Sequence, residues 1–276
     1  MARSLAGRRG VSDPLTLLRD RDLPAEGAAR RLSGGDMGEV FRVGDLVVKT
    51  LYPAPEGLFS AESRGLSQLA ACGVRVPDVV HADEQCIVME ALNPGRDCSE
   101  EMGRMVARLH RQSAELCDLD PLFIGRFRLP AGTGAGWADH WWTHRIRPLV
   151  AVTSRDLGPL AGEVERVSRE VVWPDEPTCW IHGDLWSGNV MHSADGPALI
   201  DPSAQVAQRV VDLAMIDLFG GFSQEFHRGY DAIYPVTDAV RACIPVAQLY
   251  FALVHAHFFG RSYIPMVNRL VRLASR

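Results

Sequence analysis

The sequence predicts an α+β fold of two lobes, a small antiparallel-sheet lobe over residues 1–92 and a mostly helical lobe over residues 93–276. Three observations predict it. Residues 31–49 set short β-rich runs between glycine turns, the pattern of neighbouring antiparallel strands. From Met102 onward, apolar residues recur at helical spacing. Between these regions Asn93-Pro94-Gly95 breaks both patterns and marks a hinge. A chain of 276 residues, 47% hydrophobic and 23% charged, can bury a core for both lobes.

Residues 1–12 are rich in Arg, Gly and Ser and are expected to fray. Asp13 followed by Pro14 predicts a capped helix to Arg21. The stretch from Arg31 to Lys49 reads as strand, glycine turn, strand, tight turn, strand, with Gly44-Asp45 as the second turn. Pro53 and Pro55 end that sheet segment. Phe59 to Ala71 reads as a helix stopped by Gly73. Val79–His81 and Cys86–Glu90 read as further strands. In the second lobe, Met102, Met105, Val106 and Leu109 predict a helix ending at His110. Trp137–Arg145 and Gly162–Val172 predict two more. Trp180-Ile181 and Ala198–Ile200 read as short strands that each lead into a polar loop. From about Asp212 the tail reads as apolar helices separated at Gly220-Gly221, Pro235, Pro245 and Gly260.

The formal charge of −5 argues against nucleic acid as a partner of the whole domain. The six cysteines are widely spaced with no C-x-x-C pair, so they read as small buried hydrophobes rather than a disulfide frame or zinc site. No apolar run of membrane-spanning length and no secretory leader is evident, and a cytoplasmic protein is the expectation.

Lys49 is the only lysine, alongside 28 arginines. A compact ammonium differs chemically from a planar guanidinium, and a site that needs the former is a reason to keep one. The turn Gly34, Gly35, Asp36, Met37, Gly38 lies just before the strand pair that carries Lys49. Glycines there let backbone amides approach phosphate oxygens, and a strand-borne ammonium can bridge them. Glu62, in the first turns of the next helix, can pair with Lys49 and hold it in place.

A second signal is His182-Gly183-Asp184-Leu185-Trp186-Ser187-Gly188-Asn189. Phosphoryl transfer needs a carboxylate to orient the attacking hydroxyl and take its proton, and oxygen ligands for Mg2+. Asp184 and Asn189 supply both from one loop. Asp201, at the end of the Leu199-Ile200 run, could serve with Asn189 as an oxygen ligand for Mg2+. The order of parts is that of a kinase, yet H-R-D, D-F-G and A-P-E are absent, which points to a small-molecule kinase.

The chain resembles the fructosamine kinase, or ketosamine-3-kinase, family, which belongs with the aminoglycoside and choline phosphotransferases in the protein-kinase-like fold. The resembling pieces are Ser33-Gly-Gly-Asp-Met, Val47-Val-Lys49, Ala61-Glu-Ser-Arg-Gly-Leu66, Val74-Arg-Val-Pro77, the His182–Asn189 run, Asp201-Pro202, Asp212-Leu-Ala-Met215, Leu218-Phe-Gly-Gly221 and Phe259-Gly260. They span nearly the whole chain after residue 30. The resemblance implies a bilobal protein-kinase-like fold and an ATP- and Mg2+-dependent enzyme. Lys49 would contact nucleotide phosphates, Glu62 would fix it, Asp184 would be the catalytic carboxylate, and Asn189 and Asp201 would bind Mg2+. Met89, Glu90, Ala91 and Leu92 would form the adenine hinge, Trp186 would shape the acceptor site, and Asp212 would anchor the catalytic loop. The implied acceptor is the 3-hydroxyl of a ketose joined to an amine, a deglycation reaction. Whether glycated protein lysines enter stays open, as do an aminoglycoside or choline-like acceptor and a non-catalytic nucleotide-binding module.

Two stretches depart from the family pattern. Ser203–Val211 lacks the usual tyrosine-glycine and Arg-Glu pairs, and Arg128–Gly136 lacks Thr-Pro-Gln-x-Asn. Both border the acceptor side. Trp137, Trp141 and Trp142 read either as a core stripe or as an acceptor pocket whose faces attract a cationic amine. His110, His255 and His257 read as packed histidines, and His140 with His144 lacks further metal partners.

Overall fold

The computed structural model describes residues 13–32, 38–117 and 119–276; the basic start at 1–12 and turn residues Gly34, Gly35, Asp36 and Met37 lie outside the described residues. The first helix, α1 (Pro14–Arg19), begins as its sequence predicts: Asp13 Oδ2 accepts from the Thr16 backbone N–H at 3.1 Å. Then come β1 (Arg30–Arg31), β2 (Glu39–Val43), β3 (Leu46–Thr50), α2 (Leu58–Ala71), β4 (Val79–Ala82) and β5 (Cys86–Glu90). The strands form one antiparallel sheet in the order β1-β2-β3-β5-β4.

Strand alternation decides what each face of β3 meets. Val48 is fully buried with Leu17 and Leu18 of α1 and Cys86 and Val88 of β5. Val47 points the other way, toward the main core, and so does Lys49 two residues on, paired across the ladder with Val40 and Ile87. Helix α2 packs on that second face. Its buried stripe is Phe59, Glu62, Leu66 and Leu69, spaced three, four and three residues apart. A carboxylate is thus placed on the inner face of a helix that covers the lysine's side of the sheet.

The second lobe opens with α3 (Ser99–His110), the β6 (Leu122–Ile124) and β7 (Phe127–Leu129) hairpin, and α4 (Trp137–His140). A π-helical stretch at Trp141–Ile146 joins α4 to α5 (Arg147–Leu157), so the helix predicted at 137–145 continues twelve residues further. Next are α6 (Leu160–Glu170), β8 (Cys179–Ile181), β9 (Val190–Ser193), β10 (Gly196–Leu199), β11 (Gln205–Ala207), α7 (Val210–Phe219), α8 (Gln224–Asp231), α9 (Asp238–Phe259) and α10 (Ile264–Ala274). The small pairs β9–β10 and β8–β11 frame the polar loop that carries Asp184.

The expectation that Pro245 separates two helices is corrected: α9 runs through it. A proline inside a helix removes one hydrogen bond and costs roughly 3 kcal/mol. Here Cys243, Val246, Ala247, Leu249 and Tyr250 are buried around it, and that packing offsets the loss. The segment from Asp238 to Ala274 is long and apolar enough to cross a membrane, but 61% of its most apolar window is buried inside the molecule, as befits a core helix. No disulfide joins the cysteines among the described residues.

Candidate active site

Lys49 and Glu62 meet as the strand and helix faces require. Lys49 Nζ donates to Glu62 Oε1 at 3.0 Å and Oε2 at 2.9 Å. The same ammonium lies 3.1 Å from Asp201 Oδ1, contributed by the second lobe. Burial pulls the lysine's pKa down, but the carboxylates of Asp201 and Glu62 outweigh it and hold the ammonium above the usual lysine range. Asp201 sits at φ 53°, a left-handed conformation uncommon for a non-glycine residue. That turn redirects the chain as it leaves β10 and presents the carboxylate to the lysine.

The loop between β8 and β9 is held from below by a buried aspartate. Asp212 is fully buried near the start of α7. Its Oδ2 accepts from the His182 backbone N–H and its Oδ1 from that of Gly183, both at 2.8 Å. Gly183 is at φ 80°, and a Cβ there would lie 2.1 Å from the Ser203 carbonyl oxygen, so only glycine fits. His110 Nε2 lies 3.1 Å from Asp212 Oδ2, and its Nδ1 lies 2.9 Å from the Tyr230 hydroxyl. His110 is thus a packed histidine, as its position at a helix end suggests.

His182 ties this loop to the Asp201 turn. Its Nδ1 accepts from the Asp184 N–H at 3.3 Å, so the Nε2 donates to the Ile200 carbonyl at 2.9 Å. Burial holds this imidazole below the usual histidine range, consistent with a neutral ring. The Ile200 N–H in turn donates to the Asn189 carbonyl at 3.0 Å. Asn189 Nδ2 donates to Asp184 twice, to its backbone oxygen at 2.8 Å and to Oδ2 at 3.2 Å. Burial, reinforced by Asp201 and Asp212, pushes Asp184 up to about 7 despite the hydrogen bond from Asn189.

Three comparisons bear on this arrangement. The sequence profile of the fructosamine kinase family matches residues 21–275. The chain belongs to the fructosamine kinase family. It is 43% identical over 259 residues to a probable ketoamine kinase of Thermus thermophilus, covering 94% of this chain and 98% of that one. A probable ketoamine kinase of Enterococcus faecium is 31% identical, with 91% and 96% covered. The crystal structure assigned as a fructosamine-3-kinase of Thermobifida fusca superposes with a TM-score of 0.82 at 31% identity, covering 91% of this chain and 94% of that one. An aminoglycoside phosphotransferase solved with streptomycin and ATP shares the fold, with a TM-score of 0.63 at 14% identity over 95% and 96% of the chains.

In this family member the lysine, the loop and the Asp201 turn all line one cleft of about 1130 Å³ between the lobes. That exceeds the upper end of usual single-ligand pockets, roughly 1000 Å³, and leaves room for two substrates side by side. Met89, Glu90, Ala91 and Leu92 line it where β5 leaves the sheet, and Gly38 lines it at the start of β2. The Glu90 carboxylate is engaged by Arg75, at 2.6 Å. Trp186 lines the cleft too, 40% exposed, its indole lying over Gly188, where a Cβ would come within 2.2 Å of the ring.

Trp137 and Trp141 do not reach the cleft, and their reading as acceptor contacts is corrected. Trp141 is fully buried, its ring 5.3 Å from Trp137, 5.7 Å from Trp173 and 5.5 Å from Tyr250. The π-helical stretch turns this side chain into the helical core. Besides Trp186, Phe59 and Phe123, the cleft draws aromatic lining from Phe219, His255, Phe258, Phe259 and Tyr263. Sequence reasoning missed these residues because they sit in apolar helices whose periodicity reads as core. The Phe-Gly pairs at each helix end were the available signal.

Among the described residues no three His, Cys, Asp or Glu side chains converge as a metal cage. The donor set nevertheless fits Mg2+, which takes one or two protein oxygens and completes its shell with phosphate and water. Both Asn189 Nδ2 bonds go to Asp184, so the amide oxygen is the group left to coordinate, and Asp201 supplies a hard carboxylate oxygen.

Proposed function

We propose that this kinase transfers the γ-phosphate of ATP to a ketosamine hydroxyl, most simply the 3-hydroxyl. The observation that supports it best is the convergence of Lys49, Glu62 and Asp201 in the cleft that also holds Asp184 and Asn189. The nucleotide lies against residues 1–92, with adenine beside Met89 to Leu92 and phosphates toward Lys49. Residues 93–276 hold the acceptor.

Asp184 accepts a hydrogen bond from the acceptor hydroxyl and aligns it with the γ-phosphorus. As the new oxygen–phosphorus bond forms, the bond to the β–γ bridging oxygen breaks, ADP leaves, and the hydroxyl proton passes to Asp184 Oδ. In the metal-free protein burial raises this carboxylate, which favours its taking up the hydroxyl proton. Lys49 offsets charge on the phosphate oxygens, and Glu62 keeps the ammonium in register. When bound between Asn189 and Asp201, Mg2+ supplies further neutralisation of the phosphates. Asp212 keeps the loop amides fixed throughout.

The names of the relatives, ketoamine and fructosamine-3-kinases, support the acceptor class. Release of ADP measured across synthetic fructosamines, ribulosamines and aminoglycosides tests it. Turnover with ketosamines is expected; turnover confined to aminoglycosides would overturn the acceptor, and nucleotide binding with no turnover on any acceptor would overturn the kinase mechanism.

A further inference from the structure

The cleft that holds Asp184 also carries a continuous aromatic wall. Phe219 and His255 ring centroids are 4.9 Å apart, His255 and Tyr263 5.0 Å, His255 and Phe259 5.6 Å, and Phe259 and Tyr263 5.8 Å. All four line the cleft. Phe219 is 39% exposed and Phe259 47%, a large apolar exposure for side chains at the ends of core helices. The wall is tied to the chemistry by two contacts. The Asp212 anchor lies in the first turn of α7 and Phe219 ends that helix, a run of about 10 Å between them. Just beyond it, Gly221 passes so close to the catalytic loop that a Cβ would lie 2.4 Å from Ser187 Oγ.

The charges around the wall are as informative as the rings. Among the described lining residues the carboxylates are Glu62, Glu90, Asp184 and Asp201, each already engaged in the hinge or the phosphate site. The wall adds none. Burial holds His255 below the usual histidine range, and its Nδ1 lies 2.8 Å from the Phe251 carbonyl, so at neutral pH it is an uncharged ring. The Arg126 guanidinium, in the β6–β7 turn, also lines the cleft, but it donates to the Pro53 carbonyl of the first lobe at 2.8 Å. A polycationic amino sugar meets no carboxylate partner among these four rings.

In a ketosamine the attacked hydroxyl and the amine are joined through C3, C2 and C1. With the hydroxyl at Asp184, the amine and its substituent project away from the phosphates. We propose that Phe219, His255, Phe259 and Tyr263 bind this amine half, and that the substrate is a ketosamine whose single cationic nitrogen carries an apolar or aromatic group. Aromatic faces attract the protonated secondary amine while their area shelters the hydrocarbon. This rests on the ketosamine reading above and narrows it.

The test is kcat/KM, by ADP release, for fructosamines of methylamine, butylamine, benzylamine and 1,4-diaminobutane. The benzylamine adduct is expected to exceed the methylamine adduct by roughly ten-fold or more, a span typical of hydrophobic substrate pockets. The diaminobutane adduct is expected to fall below the butylamine adduct. Phe219→Ala and Phe259→Ala should each shrink the benzyl-to-methyl ratio toward one with KM for ATP unchanged, which a purely structural loss cannot do. Equal kcat/KM for all four adducts, or a ratio untouched in both variants, overturns the wall's role while leaving the kinase reading standing. Absence of turnover with every ketosamine overturns both.

Discussion

Lys49 Nζ stands 3.1 Å from Asp201 Oδ1, so one ammonium joins the sheet of the first lobe to a strand end of the second. The same nitrogen holds Glu62, a side chain only 9% exposed. Removing the ammonium leaves a buried carboxylate without its partner. Lys49→Met should therefore destabilise by about 2–3 kcal/mol, less than the roughly 3–5 kcal/mol of fully buried pairs because Lys49 is 23% exposed. The double variant Lys49→Met with Glu62→Gln should recover most of that stability but none of the turnover. Urea titrations read the first effect and ADP release the second. Recovery of both would mean that the lysine serves only the fold.

Asp184 links activity to stability with a definite sign. Its pKa rises from an ordinary 3.8 to about 7 in the folded protein, chiefly through burial. The folded state therefore binds the proton more tightly than the unfolded one. Stability contributed by this group is present below about pH 4 and is lost as the pH climbs to about 7. Asp184→Asn removes the loss. In metal-free buffer the variant's Tm should exceed that of the parent at pH 8, with the gain vanishing near pH 4. Turnover with the cognate acceptor should fall by about 10²–10⁴-fold while ATP still binds. A Tm difference independent of pH would remove the burial argument, and near-normal turnover would remove the proton acceptor.

Asp212 is expected to act on kcat rather than on substrate affinity. Its two oxygens satisfy two loop amides, and among the described residues neither amide has another acceptor. Asp212→Asn keeps one acceptor oxygen and turns the other into a donor facing an N–H, so one amide is left unpaired at about 1–3 kcal/mol. The loop then shifts, and with it Asp184. A drop in kcat of ten-fold or more with KM for ATP nearly unchanged is the expected result. Equal loss in both parameters would point to general unfolding, which a thermal melt separates.

Much of this site is written in residue chemistry that needs no tertiary context. A lone lysine on an alternating strand, Glu62 on the same helical stripe as Leu66 and Leu69, and a loop carrying Asp184 and Asn189 all have local signatures. Their convergence in one cleft follows from strand alternation and helix periodicity. What was hidden lies where local signals are weak or ambiguous. Strands β6, β7 and β11 are three residues long, too short to show a period of two. Pro245 carries a strong local stop signal that burial along α9 overrides. Phe219 and Phe259 are forty residues apart and look like core until α7 and α9 bring their ends together.

The tryptophans give the sharpest separation between core and cleft, because sequence alone treats Trp141 and Trp186 alike. Trp141 is fully buried among Trp137, Trp173 and Tyr250, so Trp141→Ala opens a large cavity. Losses of about 3–5 kcal/mol accompany such truncations. The Tm should fall sharply, with kinetic constants of the surviving folded fraction close to the parent's. Trp186 lies over Gly188 at the cleft surface and is 40% exposed, so its removal takes away little core packing. Trp186→Ala should keep its Tm within a few degrees and raise the acceptor KM by roughly ten-fold, through loss of an aromatic face worth about 1–2 kcal/mol against a cation. Thermal melts and initial rates on both variants check the pair. An acceptor KM that moves with Trp141 and not with Trp186 would place the acceptor against the helical core and away from the catalytic loop.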